Sequence, residues 1–302
     1  MTSLTGTDIL NDKAKVRDIC DQMHEQYPDI KFPDVFEDVL FAGRMGRELL
    51  TNFKAIRIRG TGTNPETGLR EPHIYTVDLP TDKYTLVPHE VLLHSMVGAC
   101  PPEYGTPQVN MHFYGLGEKG RAVITFPEVK LEIRSGDAVN PRLLGQNSYD
   151  RSWLYNTSFG AMQVVCTNGM VAFRVRDSVS KRHIGEVGVE AMKVIMGESM
   201  EAFSDQVGLW KSWAELALPF GEGFEKVVEA LPFSENERAK MMELPLMGRD
   251  TTLVELQRAR KATVWDLHSA ATQFATHEVR SDLRKVELED RIATVLGKAF
   301  TN

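Results

Sequence analysis

The chain of 302 residues is 42% hydrophobic and 25% charged, with a formal net charge of −7 at pH 7. A chain of this length can bury its core without disulfides or a structural metal. It contains no apolar run near the ~18 residues of a membrane-spanning helix, and its overall sign argues against non-specific nucleic-acid binding.

In chain order, the N-terminal stretch to Asp18 has neither the basic nor the apolar region of a secretion signal. Cys20, Cys100 and Cys166 are odd in number and far apart, which speaks against a disulfide framework or a metal knuckle and predicts a reducing cytoplasm. In that setting the Asn156-Thr157-Ser158 sequon carries no meaning. Ile9, Leu10, Val16, Ile19, Cys20 and Met23 recur at roughly helical spacing over 7–26, behind Thr7 or Asn11 as N-cap. Pro28 and Pro33 bracket an extended link, and 36–50 reads as a second, shorter helix.

From Phe53 the period changes to two. Residues 53–60 alternate apolar and basic, predicting a half-buried strand with Lys54, Arg57 and Arg59 on its other face. A turn-rich loop over 61–72 leads into a returning strand over 73–79. A short amphipathic helix is expected over 87–100, two or three strands over 109–136, and further strands over 142–152 and 158–168. Residues 187–203 and 222–298 read as helical, with 244–250 as the obvious break. The prediction is an α+β fold: a mainly antiparallel sheet in the middle of the chain, with helical N- and C-terminal segments. The boundaries fall at 1–50, 51–185 and 186–302, for a helical segment, a β-rich core domain and a helical region.

Charge follows this division. Residues 1–40 carry −5, 41–185 +4, 186–256 −8 and 257–302 +2. The basic middle is compatible with a polyanion site and equally with charge pairing inside the molecule.

Several motifs resolve into ordinary structure. Gly115–Gly120 matches G-x-G-x-x-G, and Asp137 lies near the spacing of a ribose-binding acid. Both flanks read as strands, however, so the stretch is expected to be a hairpin turn. His89 and His94 are five residues apart, about 140° around a helix, and do not form a metal pair. The 60–68 loop lacks the Gly-Lys-Ser/Thr ending of a phosphate loop. Cys166 could be combined on paper with His183 and Asp150 as nucleophile, base and orienting acid. It follows Val164 and Val165 in a strand-like run and precedes Asn168-Gly169, a turn signal, so packing is the favoured reading.

The basic residues are the better functional candidates. Lys54, Arg57 and Arg59 form one group, preceded by Arg44 and Arg47; Arg174, Arg176, Lys181, Arg182 and His183 form another. Brought together, they would make a phosphate-tracking groove. Phe53, Tyr75, Tyr84, Tyr149, Trp153 and Tyr155 could offer stacking faces near it. The plain alternative is a solvated, salt-bridged surface over core aromatics.

Three stretches, 147–153 (NSYDRSW), 162–171 (MQVVCTNGMV) and 180–185 (SKRHIG), occur in an order and spacing that resemble a family. It is the phage- and plasmid-like proteins grouped as domain of unknown function 932. The matching positions are Asn147, Ser148, Asp150, Ser152, Val164, Val165, Cys166, Asn168, Gly169, Arg182 and His183; Tyr149, Arg151 and Gln163 replace the family's usual His, Gly and Arg. The similarity covers about 84–280. It implies a mobile-element context and no established chemistry.

The expected function is a mobile-element nucleic-acid-binding protein, acting on single-stranded DNA in replication, recombination or transcription in the bacterial cytoplasm. Lys54, Arg57, Arg59, Arg174, Arg176, Lys181 and Arg182 would contact phosphates, and Tyr149 and Trp153 would stack on bases. No metal, cofactor or membrane is expected. A homo-oligomer is, with a phage or host replication or transcription protein as a possible partner. The alternatives are a non-enzymatic interaction or regulatory protein and, after it, a cysteine-dependent enzyme.

Overall fold

The computed structural model describes residues 13–42, 48–64, 66–81, 84–153, 155–163, 169–171, 179–181, 205–246 and 249–300. It is an α+β fold with two antiparallel sheets flanked by helices.

Helix α1 (Lys13–Gln26) turns Met23 into the core. The chain then forms a three-stranded sheet, β1 (Asp34–Ala42), β2 (Glu48–Thr63) and β3 (Arg70–Asp78), in that spatial order. The helix expected over 36–50 is therefore corrected: Asp34–Ala42 is a strand in register with β2, Asp34 opposite Arg59 and Val39 opposite Lys54. Val35, Phe36, Val39 and Phe41 suit a strand, and cross-strand pairing with β2 overrides the loosely helical spacing. Ala55, Ile56 and Ile58 are buried on β2, as the alternation predicts. A small cluster of Ile56, Ile58, Tyr84 and Tyr149 lies beneath this sheet.

The larger sheet runs β10 (Val179–Lys181), β8 (Tyr155–Gln163), β7 (Asp137–Ser148), β5 (Lys119–Thr125), β4 (Gln108–Tyr114). Strands β6 (Leu131–Arg134) and β9 (Gly169–Val171) add to β7 and β8. Helix α2 (His89–Gly98) packs onto this sheet with His89, Glu90, Val91, Leu92, Leu93, Ser95 and Met96 all buried. It is thus a buried helix and not the amphipathic one expected. At Gly145 of β7 an added Cβ would run into the Met96 sulfur and meet Leu92, so glycine is what lets the helix approach. The Gly115–Gly120 link is a hairpin tip between β4 and β5, with Gly115 at φ 66° and Gly117 at φ 96°. Its conformation is that of a turn, as its flanking strands require.

The C-terminal part is helical. A helix covering 205–215 falls where none was expected. After it come α3 (Glu222–Ala230), α4 (Glu235–Glu243), α5 (Leu253–Arg258), α6 (Val264–His277) and α7 (Asp282–Phe300). The breaks are more numerous than 244–250 alone. Three of these helices start at reciprocal caps, Ser234 with Glu237, Thr252 with Glu255 and Thr263 with Asp266, each satisfying otherwise orphaned N–H groups.

One hydrophobic cluster runs from Met23 through Leu92, Ile124 and Leu143 to Trp265, Phe274 and Leu296. Buried charge crosses the same boundary. Glu289 of α7 accepts from Arg121 of β5 at 3.1 Å and Arg142 of β7 at 3.0 Å. Burial opposes ionisation of Glu289, but the two guanidiniums outweigh it and hold its pKa below the usual range. Asp266 likewise binds Arg134 at 2.7 Å, and Trp265 donates to Asp137 at 3.0 Å. Among the described residues, no helix is long and apolar enough to cross a membrane.

Candidate functional site

The basic row on β2 meets an acidic row on β1. Arg59 pairs with Asp34 at 3.2 Å, Arg57 with Asp38 at 3.0 Å and Lys54 with Glu37 at 3.4 Å. Cross-strand register dictates this, because Arg59 lies directly opposite Asp34 and Arg57 opposite Phe36. Arg59 also covers the Phe36 ring at 4.9 Å. Pairs this exposed contribute about 0.2–1 kcal/mol, so a phosphate could compete for the cations, but the neighbouring carboxylates repel it. The row is a ladder of ion pairs.

Of the second basic group, Lys181 is on β10 of the other sheet, opposite Tyr155. Arg174, Arg176, Arg182 and His183 lie outside the described residues, as do Arg44, Arg47, Cys166 and Asn168. Gly169 opens β9, paired with Met162.

Residues 147–153 form a buried junction. Asn147, completely buried, donates to the Val87 carbonyl at 2.7 Å and to His89 Nδ1 at 3.1 Å. His89 Nε2 lies 3.0 Å from the Gly117 carbonyl of the hairpin tip. Both contacts are satisfied when Nδ1 accepts and Nε2 carries the proton. Tyr149 is also fully buried, stacked on His89 at 4.1 Å, and its hydroxyl accepts the His89 backbone N–H at 2.9 Å. The expectation that Tyr149 stacks on bases is therefore corrected: its ring is buried against His89 and in the cluster with Ile56, Ile58 and Tyr84, and its hydroxyl serves the start of α2. Burial raises its pKa. Tyr84 and Tyr155 are buried as well. Trp153 remains partly exposed, edge-on to Tyr114 at 5.5 Å with the Lys119 ammonium 6.0 Å from its ring.

Around them Ser148 Oγ accepts from Trp153 N at 3.0 Å, and Asp150 accepts from the Ser152 hydroxyl at 2.6 Å and its N–H at 3.0 Å. Burial works against ionising Asp150, but the Ser152 and Ser148 hydrogen bonds and Lys119 lower its pKa. Arg151 holds Asp78 at the end of β3 with two hydrogen bonds, tying the small sheet to the large one. The motif is a structural junction between sheets, hairpin and helix.

A cleft of about 800 Å³ opens where α1 faces β1 and the segment leading into α2. Lys13, Arg17, Cys20 and His24 line it at i, i+4, i+7 and i+11, one face of α1. Opposite them are Phe32, Phe36, Lys54 and Glu90. Lys13 and Arg17 are exposed, and the His24 and Phe32 rings stack at 5.2 Å. Glu90 sits in the first turn of α2 with its side chain 7% exposed. Its Oε1 is 3.1 Å from His24 Nε2, and its Oε2 has no hydrogen-bond partner among the described residues. Burial raises its pKa, against its own backbone hydrogen bond and His24, which lower it. Cys20 is pushed up to about 12 by burial and by Glu90 and Asp21, and burial lifts Cys100 to about 11. Neither thiol is poised as a nucleophile. Among the described residues, no group of His, Cys, Asp and Glu is arranged to hold a metal ion.

The cleft was not visible as such in the sequence. His24 and Glu90 are 66 positions apart, and the helical stripe Lys13-Arg17-Cys20-His24 was the only local signal.

No curated protein and no solved structure matches the chain. A family model does, over residues 78–296, a span that contains the junction and every described strand of the large sheet but only the Tyr84–Glu90 side of the cleft. The chain belongs to that family, a domain of unknown function (DUF932).

Proposed function

We propose that the protein binds single-stranded nucleic acid as an oligomer, in replication, recombination or transcription of a mobile element in the bacterial cytoplasm. The observation that carries this reading is the cleft under α1. It combines Lys13, Arg17 and Lys54 with the rings of His24, Phe32 and Phe36. Cations that follow a backbone, beside ring faces on which bases stack, are what sequence-tolerant strand binding needs. Trp153, with Lys119 beside it, offers a second stacking position. The β2 arginines contribute less than their number promises, because each faces an acid of β1.

Fluorescence anisotropy with labelled single-stranded oligonucleotides tests the reading. Binding is expected at low salt, weakening as salt rises, since each phosphate contact on a single strand adds about 0.7 to the slope of log K against log salt. Replacing Lys13, Arg17 and Lys54 together by Ala should reduce that slope by about 2. Absence of binding at low salt overturns the proposal.

One observation favours the interaction-protein alternative. Leu69 and Ile74 stand 65% and 48% exposed on the β2–β3 hairpin. Co-purification of a stoichiometric host or phage protein, lost on Leu69→Ser/Ile74→Ser and accompanied by no oligonucleotide binding, would replace the first reading with this one.

A further inference from the structure

We propose that the cleft under α1 reads the base, preferring those with an exocyclic amino group, cytosine above all among pyrimidines, through a hydrogen bond to Glu90. This rests on the single-strand reading above and names what that site selects.

Three observations meet at Glu90. Glu90 lines the cleft while its side chain is nearly buried. One oxygen is engaged by His24 and the other, Oε2, has no partner among the described residues. A buried acceptor without a donor is unfavourable, and a ligand that brings a donor removes that penalty. The ligand's other features are set by the walls. Phe32 and Phe36 supply apolar ring faces, and Lys13 and Arg17 lie along the same side of α1 as His24. The volume is within the range that takes a small organic group whole.

Cytosine N4 donates to a carboxylate, a pairing that Glu and Asp use elsewhere in base readout. Adenine N6 offers the same donor. Thymine and uracil carry a carbonyl oxygen at the equivalent position of the ring, which a carboxylate repels. The discrimination therefore comes from a donor against an acceptor at one ring position, with stacking and phosphate contacts shared by all strands. Asp34 and Glu37 also line the cleft, but each is matched with a cation, Arg59 and Lys54. Among the described residues the cation paired with Glu90 is His24, whose side chain is 55% exposed.

The decisive comparison is oligo-dC against oligo-dT of equal length and at equal salt, read by anisotropy. About tenfold tighter binding of oligo-dC is expected, the ratio that one net hydrogen bond of about 1.4 kcal/mol gives. Glu90→Gln, which places a donor beside the acceptor, should narrow the ratio to within about twofold. Glu90→Leu, which removes both, should do the same if urea unfolding shows that it remains folded. Equal binding of the two strands by the unaltered protein overturns this inference and leaves single-strand binding standing. So does a ratio that survives in both variants. No binding of either strand overturns the underlying reading as well.

Discussion

Arg151 occupies a backbone position that L-residues seldom take, with φ at 59°. The family that the 147–153 motif resembles usually has glycine there, a residue that takes such an angle without strain because it has no Cβ. This chain keeps an arginine and gains the two-pronged contact with Asp78. The strain of about 1 kcal/mol and an exposed ion pair of about 0.2–1 kcal/mol nearly offset each other. Arg151→Gly should thus change stability little, while Arg151→Ala, which loses the contact and keeps the angle, should lie about 1 kcal/mol below it. Urea midpoints at constant slope measure the difference. Tyr149 follows a similar logic: in place of the family's His it puts a hydroxyl under the first N–H of α2. Asn147 and Tyr149 were legible as motif positions, but not as buried ones, because burial depends on α2 and the hairpin tip arriving from elsewhere in the chain.

At the scale of elements, local pattern succeeded where each strand's partner is its neighbour in sequence. The β2–β3 and β4–β5 hairpins follow from alternation and from turn residues, and the Gly115–Gly120 turn from its flanking strands. It failed at β1 even though its partner β2 is the next strand, because the apolar spacing there is loosely helical and only the pairing overrides it. It also missed the helical breaks in the C-terminal part, although Ser234-Glu237, Thr252-Glu255 and Thr263-Asp266 are cap signatures present in the sequence. The contact between α2 and β7 depends on Gly145. Gly145→Ala puts a methyl against Met96 and Leu92, and repacking around it should cost about 1–3 kcal/mol. Thermal unfolding would show it as a lowered Tm, whereas an unchanged Tm would mean that Met96 swings aside freely.

Across the whole molecule, the sheets and the C-terminal helices share one core, so their stability is expected to be shared as well. His268 lies in it among Trp210, Trp213 and Trp265, at ring distances of 5.4–6.2 Å. Burial lowers its pKa from 6.5 to about 3. Between those values the unfolded chain binds a proton that the folded chain does not, so stability falls as pH falls through that window. The loss between pH 6.5 and about pH 5 should be on the order of 2 kcal/mol. Glu289, with its pKa held down, adds to the loss below the ordinary carboxylate range, whereas Glu90, raised by burial, acts in the opposite sense just above it. Urea midpoints measured from pH 7 to about pH 5 give the slope, and His268→Phe should flatten it. An unchanged slope in that variant would assign the effect to other groups.

By itself the sequence determined the class of fold, most of the hairpins and the family, because these depend on periodicity, turn chemistry and short ordered motifs that neighbouring residues specify. Tertiary structure alone decided the partners of the charges, the burial of Tyr149 and the assembly of the cleft. Arg57 faces Asp38, Glu289 faces Arg121 and Arg142, and His24 faces Glu90, each across a distance along the chain that no local pattern spans. Whether a cation is a free phosphate contact or half of an ion pair is settled by what packs opposite it.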